Sequence, residues 1–476
     1  MPLRIPARRS QPVDLGSIRT AADQTFSRTG GAPLVSGNAV RVLRDATENY
    51  GAWEAAIDAA TSSIHIEMYI FHRDAVGRRF VALLARKARE GVTVRVIYDW
   101  FGCGLAPLRG LFKPLIAAGA QVRVFNPPSP SSALGWLRRN HRKLIVVDGR
   151  VAFVSGLCIG QPWEGEPARQ RQPWRDTGIE IVGPAVVNAE TSFADSWLLA
   201  GGGPLPDPPH ASEIPAAGDV SLRIIPTEPF TANMLRMDLL VCTIARKTLW
   251  LTDAYFIGNG PYLEALTRAA RDGVDVRLLL PADSDVGWTV PVSRALYRPL
   301  LEAGVRVFEW NGTMVHAKTA VADSRWARIG STNLNINSWI GNWELDVAIE
   351  DARVAHTLET HFQEDLANST EIVIAAVGGR RSVVAGRPRG RYRSSRRIAR
   401  TFTGVGRSLG AAVTGNRPLE NYETRPLMVA AFLLAAIAGV GLFIPWLLAW
   451  PVALLAAWIA ATFLLEAWAV WRRPNK

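Results

Sequence analysis

Apolar and polar positions along the chain alternate between two periods, one of two residues and one of three to four. Ile64–Phe71 reads as a strand, Arg78–Arg89 as an amphipathic helix ending near Gly91, and Val92–Tyr98 as a second strand. Leu111–Ala118 follows as a helix and Val122–Phe125 as a third strand. A Pro/Ser loop at Pro127–Ser132 leads to another strand, Leu144–Val147, and Val186–Leu199 then has the spacing of a helix. The same order returns later. Thr248–Phe256 matches the first strand, Tyr262–Arg271 the first helix and Val274–Leu280 the second strand. Ala303–Phe308 echoes Ala118–Phe125, and Val354–Leu366 closes the series as a helix.

The offset between the copies is about 175 to 185 residues, an internal duplication rather than a short-period solenoid. Alternating strands and helices imply an α/β fold of two repeated lobes, each a sheet flanked by helices. The lobes are expected at 41–205 and 216–375, separated by the Gly- and Pro-rich stretch Gly201–Pro215. Residues 1–40 are polar and read as an N-terminal arm, and 376–425 as an Arg-rich linker. Leu427–Trp471 contains a single charge, Glu466. That is too long for one membrane span of ~20 residues and fits two, so 426–472 is expected to be a helical hairpin turning at Pro445–Pro451. Cationic residues on both sides place its ends in the cytoplasm, and no apolar signal segment opens the chain.

Charge changes the picture in one place. The chain carries +12, but Arg380–Arg417 alone holds eleven arginines and no Asp, Glu or Lys. The remainder is close to neutral, which argues against a nucleic-acid partner. The cysteines Cys103, Cys158 and Cys242 are sparse and lack metal or disulfide spacing, as in a reducing compartment. They read as small buried hydrophobes.

The candidate chemistry lies in a repeated spacing. His141, Lys143 and Asp148 form His-x-Lys-x4-Asp, and His316, Lys318 and Asp323 form it again. In a strand, His141 and Lys143 fall on one face and Arg142 on the other. Two facing lobes would bring two His-Lys pairs to one phosphate. One neutral imidazole can attack phosphorus, the other can donate a proton to the leaving oxygen, and the lysines can hold the remaining oxygens. Such chemistry needs no metal or cofactor. His65, His72, His210, His356 and His361 show no metal-ligand pattern.

These residues resemble the phospholipase D superfamily, over about residues 45 to 370. The second copy has Gly330, Ser331 and Asn333 at the family spacing, and the first has Ser155 and Gly156 but Cys158 in place of Asn. The resemblance implies phosphate contacts from Ser155, Ser331 and Asn333. It also implies a downstream carboxylate orienting each histidine: Glu344 for His316 and Asp176 for His141. Asp148 and Asp323 are implied to anchor the loop after each strand. Tyr98-Asp99 with Gly102, Trp174–Thr177, Gly183–Val186 and Ile329–Asn335 are most similar to bacterial cardiolipin synthases. That likeness implies a phosphatidyltransferase of the bacterial inner membrane with phosphatidylglycerol and other anionic phospholipids as partners. His141 would be the nucleophile and His316 the general acid and base, with the lobes on the cytoplasmic side. A hydrolase of the same fold, whether phospholipase or nuclease, and a non-catalytic lipid-binding scaffold remain open at this point.

Overall fold

The computed structural model describes residues 15–128, 138–377 and 380–388, and scattered helical positions between 450 and 461. Seven strands build the first lobe: β1 (Val35–Arg44), β2 (Ser63–Met68), β3 (Thr93–Asp99), β4 (Gln121–Phe125), β5 (Lys143–Val147), β6 (Val151–Ser155) and β7 (Thr177–Val182). Seven more repeat the plan: β8 (Val220–Thr227), β9 (Thr248–Thr252), β10 (Asp275–Pro281), β11 (Arg306–Trp310), β12 (Thr319–Ala322), β13 (Trp326–Gly330) and β14 (Glu344–Glu350). A final hairpin, β15 (Ser369–Val377) and β16 (Arg380–Pro388), adds to the second lobe.

All sixteen strands join one sheet in the order β4-β3-β2-β5-β6-β7-β1-β8-β14-β13-β12-β9-β10-β11-β15-β16. Within each lobe the three strands that alternate with helices pair in parallel, and the motif strands pair antiparallel. The lobes meet where β1 pairs with β8, at Val35↔Leu222 and Asn38↔Val220. The order reads almost identically outward from this seam, so the duplication becomes a pseudo-twofold.

Apolar packing follows the same symmetry. One core lies outside the first sheet half, where Trp53, Phe80 and Leu84 of two helices cover Ile64, Ile66 and Val96. Another lies outside the second half around Met237, Tyr262 and Trp339. The third is shared: the helices Val186–Leu199 and Ala352–Ala367 put Phe193, Trp197, Leu358 and Phe362 between the inner faces of both halves.

Two expectations change, and a third lies almost wholly outside the described residues. The first forty residues are not merely an arm: Leu15–Gly30 is helical, and Val35–Arg44 is a strand at the seam of the sheet. The Arg-rich segment begins within β16, which pairs with β15 from Arg380 to Pro388, so structure continues into the expected linker. No helix among the described residues is long and apolar enough to cross a membrane, and the expected hairpin at 426–472 lies almost entirely outside them.

The motif aspartates sit in tight turns. Asp148 and Gly149 have φ of 53° and 60° between β5 and β6, and Asp323 and Ser324 have 51° and 54° between β12 and β13. The Asp148 carboxylate accepts bonds from the backbone N–H groups of Thr61, Ser62 and Ser63. Asp323 does the same for Arg246, Lys247 and Thr248. Each carboxylate pins the start of β2 or β9 to the turn after the motif strand. Asp148→Ala should therefore cost about 2 kcal/mol in urea unfolding. Asp148→Asn, which tolerates the left-handed turn and keeps an acceptor, should cost less.

Candidate active site

His141 and His316 lie just before β5 and β12, at the junction of the lobes. Each is held by a backbone bridge to the opposite lobe. The His141 N–H donates to Trp343 O at 2.8 Å, and the Trp343 N–H to Arg139 O at 2.9 Å. The mirror bridge runs from the His316 N–H to Arg175 O at 2.7 Å and from the Arg175 N–H to Met314 O at 2.9 Å. The residues after the bridging partners are Glu344 and Asp176. The bridges thus set each histidine beside a carboxylate of the other lobe.

His141 Nδ1 is 2.8 Å from Glu344 Oε2, and His316 Nδ1 is 2.7 Å from Asp176 Oδ2. With Nδ1–H donating to the carboxylate, each Nε2 is left with its lone pair. The expected pairing within lobes is therefore exchanged, because the bridges place strand ends of different lobes side by side.

The two carboxylates are secured differently. Ser331 Oγ donates to the same Glu344 oxygen at 2.6 Å, and Asn342 Nδ2 donates to the other at 3.2 Å. Asp176 instead receives Trp163 Nε1–H at 2.9 Å and its neighbour's Thr177 N–H at 2.8 Å. The repeat position of Ser331 is Gly156, and a Cβ there would stand 2.2 Å from Asp176 Oδ1. A side chain at 156 would displace the carboxylate.

Lys143 and Lys318 are both buried, and each donates to the carbonyl of its own motif histidine. Tyr69 and Tyr255 line the site, edge-on to His141 and His316 at 4.7 and 5.9 Å between ring centres. Lys143 sits over the Tyr69 ring at 5.1 Å and Lys318 over Tyr255 at 5.7 Å. Trp163 and Trp174 complete the wall beside His316. The sequence carries no signal for Tyr69, Tyr255 and Trp163, whose role comes from packing across the lobe junction, while Trp174 lies in a phrase that carries the family resemblance.

Burial dominates the electrostatics. It pushes both imidazoles down to about 4, against the opposing pull of their carboxylates. Lys143 also depresses His316 and Lys318 depresses His141, so the two halves share one electrostatic site. Burial lowers Lys318 to about 8 and lowers Lys143 as well. Burial raises Glu344 and Asp176, but the adjacent histidines and lysines outweigh it and leave both carboxyls below their ordinary values. The rings are neutral at neutral pH and the carboxylates ionised.

The chain matches the family model described as "Cardiolipin synthase, PLD-like domain" over residues 54–160 and 241–366. It is 32% identical over 349 residues to the cardiolipin synthase of Listeria welshimeri, covering 72% of each chain. It is 30% identical over 369 residues to cardiolipin synthase 1 of Bacillus cereus, covering 73% of this chain and 70% of that one. The chain belongs to the cardiolipin synthase family. The fold is also that of the crystal structure of a phosphatidylserine synthase from Haemophilus influenzae, with a TM-score of 0.55 at 15% identity, covering 74% of this chain and 91% of that one.

In this cardiolipin synthase family member, the serines expected at phosphate turn inward. Ser331 gives its hydroxyl proton to Glu344, and Ser155 gives its own to Leu157 O at 3.2 Å. Asn333 is different: its buried Oδ1 has no hydrogen-bond partner among the described residues. Cys158, at the repeat position of Asn333, is fully buried, and burial raises its thiol against the pull of Lys143 and Lys318.

The crossed pairing is testable by stability alone. A double-mutant cycle of His141→Gln with Glu344→Gln should show about 1–2 kcal/mol of coupling. His316→Gln with Glu344→Gln, which share no hydrogen bond, should show markedly less coupling.

The pH dependence has a definite sign. A folded-state histidine pKa below its ordinary 6.5 means that the unfolded chain binds more protons between pH 6.5 and about 4. Stability should therefore be lost as pH drops from 6.5 towards 4, and the depressed carboxylates act in the same direction at lower pH. Urea midpoints measured against pH should fall less steeply for His316→Gln than for the parent protein.

Proposed function

We propose that the protein is a cardiolipin synthase that transfers a phosphatidyl group from one phosphatidylglycerol to the hydroxyl of another. The observation that carries this reading is the pair of crossed histidine–carboxylate dyads, each with a buried lysine beside it. Family membership supplies the substrate class.

In the first half of the reaction His141 Nε2 attacks phosphorus and the bond to glycerol breaks. His316, protonated as substrate binds, passes its proton to the leaving glycerol oxygen. In the second half His316 takes the proton from a hydroxyl of a second phosphatidylglycerol. That oxygen attacks phosphorus, His141 leaves, and cardiolipin forms. Glu344 and Asp176 keep each ring in the Nδ1–H form and stabilise it when charged. The lysines offset the charge gathering on the non-bridging oxygens.

The apolar run Leu427–Trp471 is read as a two-span anchor in the bacterial inner membrane, with the lobes on the cytoplasmic side. The arginines before it supply attraction to anionic lipid of ~1 kcal/mol per residue near the surface.

The test is purified protein with phosphatidylglycerol labelled on the phosphate. Cardiolipin and free glycerol are expected in equal amounts; phosphatidic acid as the main product would turn the reading to hydrolysis. His141→Ala should abolish turnover, and acid-quenched parent protein should carry label on His141. Label on His316 instead would reverse the two roles. Loss of the acid–base group should cost ~10²–10⁴-fold.

A further inference from the structure

Three segments bonded to residues of the site hold large apolar side chains out in water. The loop after β3 exposes Phe101, Leu105 and Leu108, the last 82% accessible. The segment after β10, its pseudo-twofold mate, exposes Trp288 at 63% and, in the short helix Thr289–Ala295, Val292 at 39%. Phe230 adds a third point at 71%, with φ of 71°, a conformation that a phenylalanine rarely adopts.

All three segments are wired to the site. Asp99, at the end of β3, accepts the Asn140 N–H beside His141 and the Phe101 and Gly102 N–H groups, each at 2.9 Å. Tyr255, edge-on to His316, donates its hydroxyl to Asp285 at 2.7 Å, three residues before Trp288. The Phe230 N–H donates to Ile340 O, close in sequence to Trp343, which brackets His141.

Cations are interleaved with these groups. Arg139 stacks over Phe101 at 4.2 Å and Arg138 over Phe230 at 4.6 Å, while Arg109 is exposed beside Leu108. The neighbouring acidic groups are engaged by the fold: Asp285 with Tyr255, Glu228 with Arg142, and Asp283 with the Ser284 N–H.

We infer that these segments form a bilayer-contact rim, in which the loops after β3 and β10 and the Phe230 segment enter the headgroup layer of an anionic membrane and present the site to lipid in place. The inference rests on the reading that the substrate is a membrane phospholipid. Two features select a bilayer over a protein partner. The apolar loops are related by the pseudo-twofold, so they flank one opening and one plane can touch both. Their mixture of aromatic, aliphatic and arginine side chains suits an interface that is apolar below and anionic above.

The three native cysteines are buried, so introduced ones can be labelled selectively. The full-length protein carrying Leu108→Cys or Trp288→Cys is labelled with an environment-sensitive fluorophore and reconstituted in vesicles of phosphatidylcholine and phosphatidylserine. Asp272→Cys, exposed at the opposite end of β10, is the control. Both rim labels should be quenched by brominated acyl chains and shielded from aqueous iodide, and the control label should behave oppositely. Rim labels as open to iodide as the control would overturn the inference, and so would quenching at one loop alone. Crosslinks between copies through both positions would assign the patch to a second copy of the chain and overturn it too.

A Leu108→Glu, Trp288→Glu double variant should lose about tenfold or more of its rate on vesicles. Its rate on detergent-dispersed phosphatidylglycerol should stay within about twofold, since neither residue touches the dyads. Intact lipid quenching without any cardiolipin product would instead sink the catalytic reading and leave the membrane surface standing.

Discussion

The bonds from His141 to Glu344 and from His316 to Asp176 exist only while the two lobes are in register. Everything else at the site is arranged around that condition. The β1–β8 seam fixes the separation of the sheet halves, and the shared core under Phe193, Trp197, Leu358 and Phe362 fixes their angle. The short bridges at Asn140↔Trp343 and Arg175↔Val315 then set the last few ångströms. Arg142 and Arg175 reinforce them from behind. Arg142 donates to Glu344 O and to Ser196 of one interlobe helix, and Arg175 donates to Asp365 of the other. Two large buried cations in such positions are costly unless fully bonded, so they also penalise any misaligned packing.

The charge balance of the site follows from the same burial. Lys143 and Lys318 bring two positive charges, and Asp176 and Glu344 two negative ones. With both imidazoles neutral these four groups are close to balanced. A phosphodiester entering this region adds one negative charge, and the cheapest response is a proton on one of the rings. Substrate would then create the general acid that the proposed mechanism calls for at neutral pH.

Much of this was legible along the chain, for identifiable reasons. The helix periods of Ile64–Val147 and Thr248–Ala322 are strong because each long helix buries one defined face, and the strands read as short apolar runs because both of their faces are buried. The repeated His-x-Lys-x4-Asp spacing marked residues that the fold brings to the lobe junction, and its aspartates occupy tight turns. Three features were not legible. Val35–Arg44 lies at the seam and is buried only in part, so its alternation is weak against a polar flank. Arg380–Pro388 reads as a solvated charge run, yet its backbone completes a hairpin. The partner of each histidine could not be read from spacing, because spacing orders residues within a lobe while the bridges join residues across lobes. The family resemblance supplied the two carboxylates but placed each with the histidine of its own half.

The crossing also constrains how such a molecule can come into being. A single lobe owns a histidine and a carboxylate, but holds them apart from one another. Two copies facing across a twofold axis complete both dyads at once, so a one-lobe ancestor would be competent only as a symmetric dimer. Joining the two copies in one chain keeps that exchange and releases the halves from being identical. Gly156 against Ser331, and Cys158 against Asn333, are where this chain has used that freedom. The site thus has two distinguishable sides, which a reaction that gives up one alcohol and takes in another can exploit.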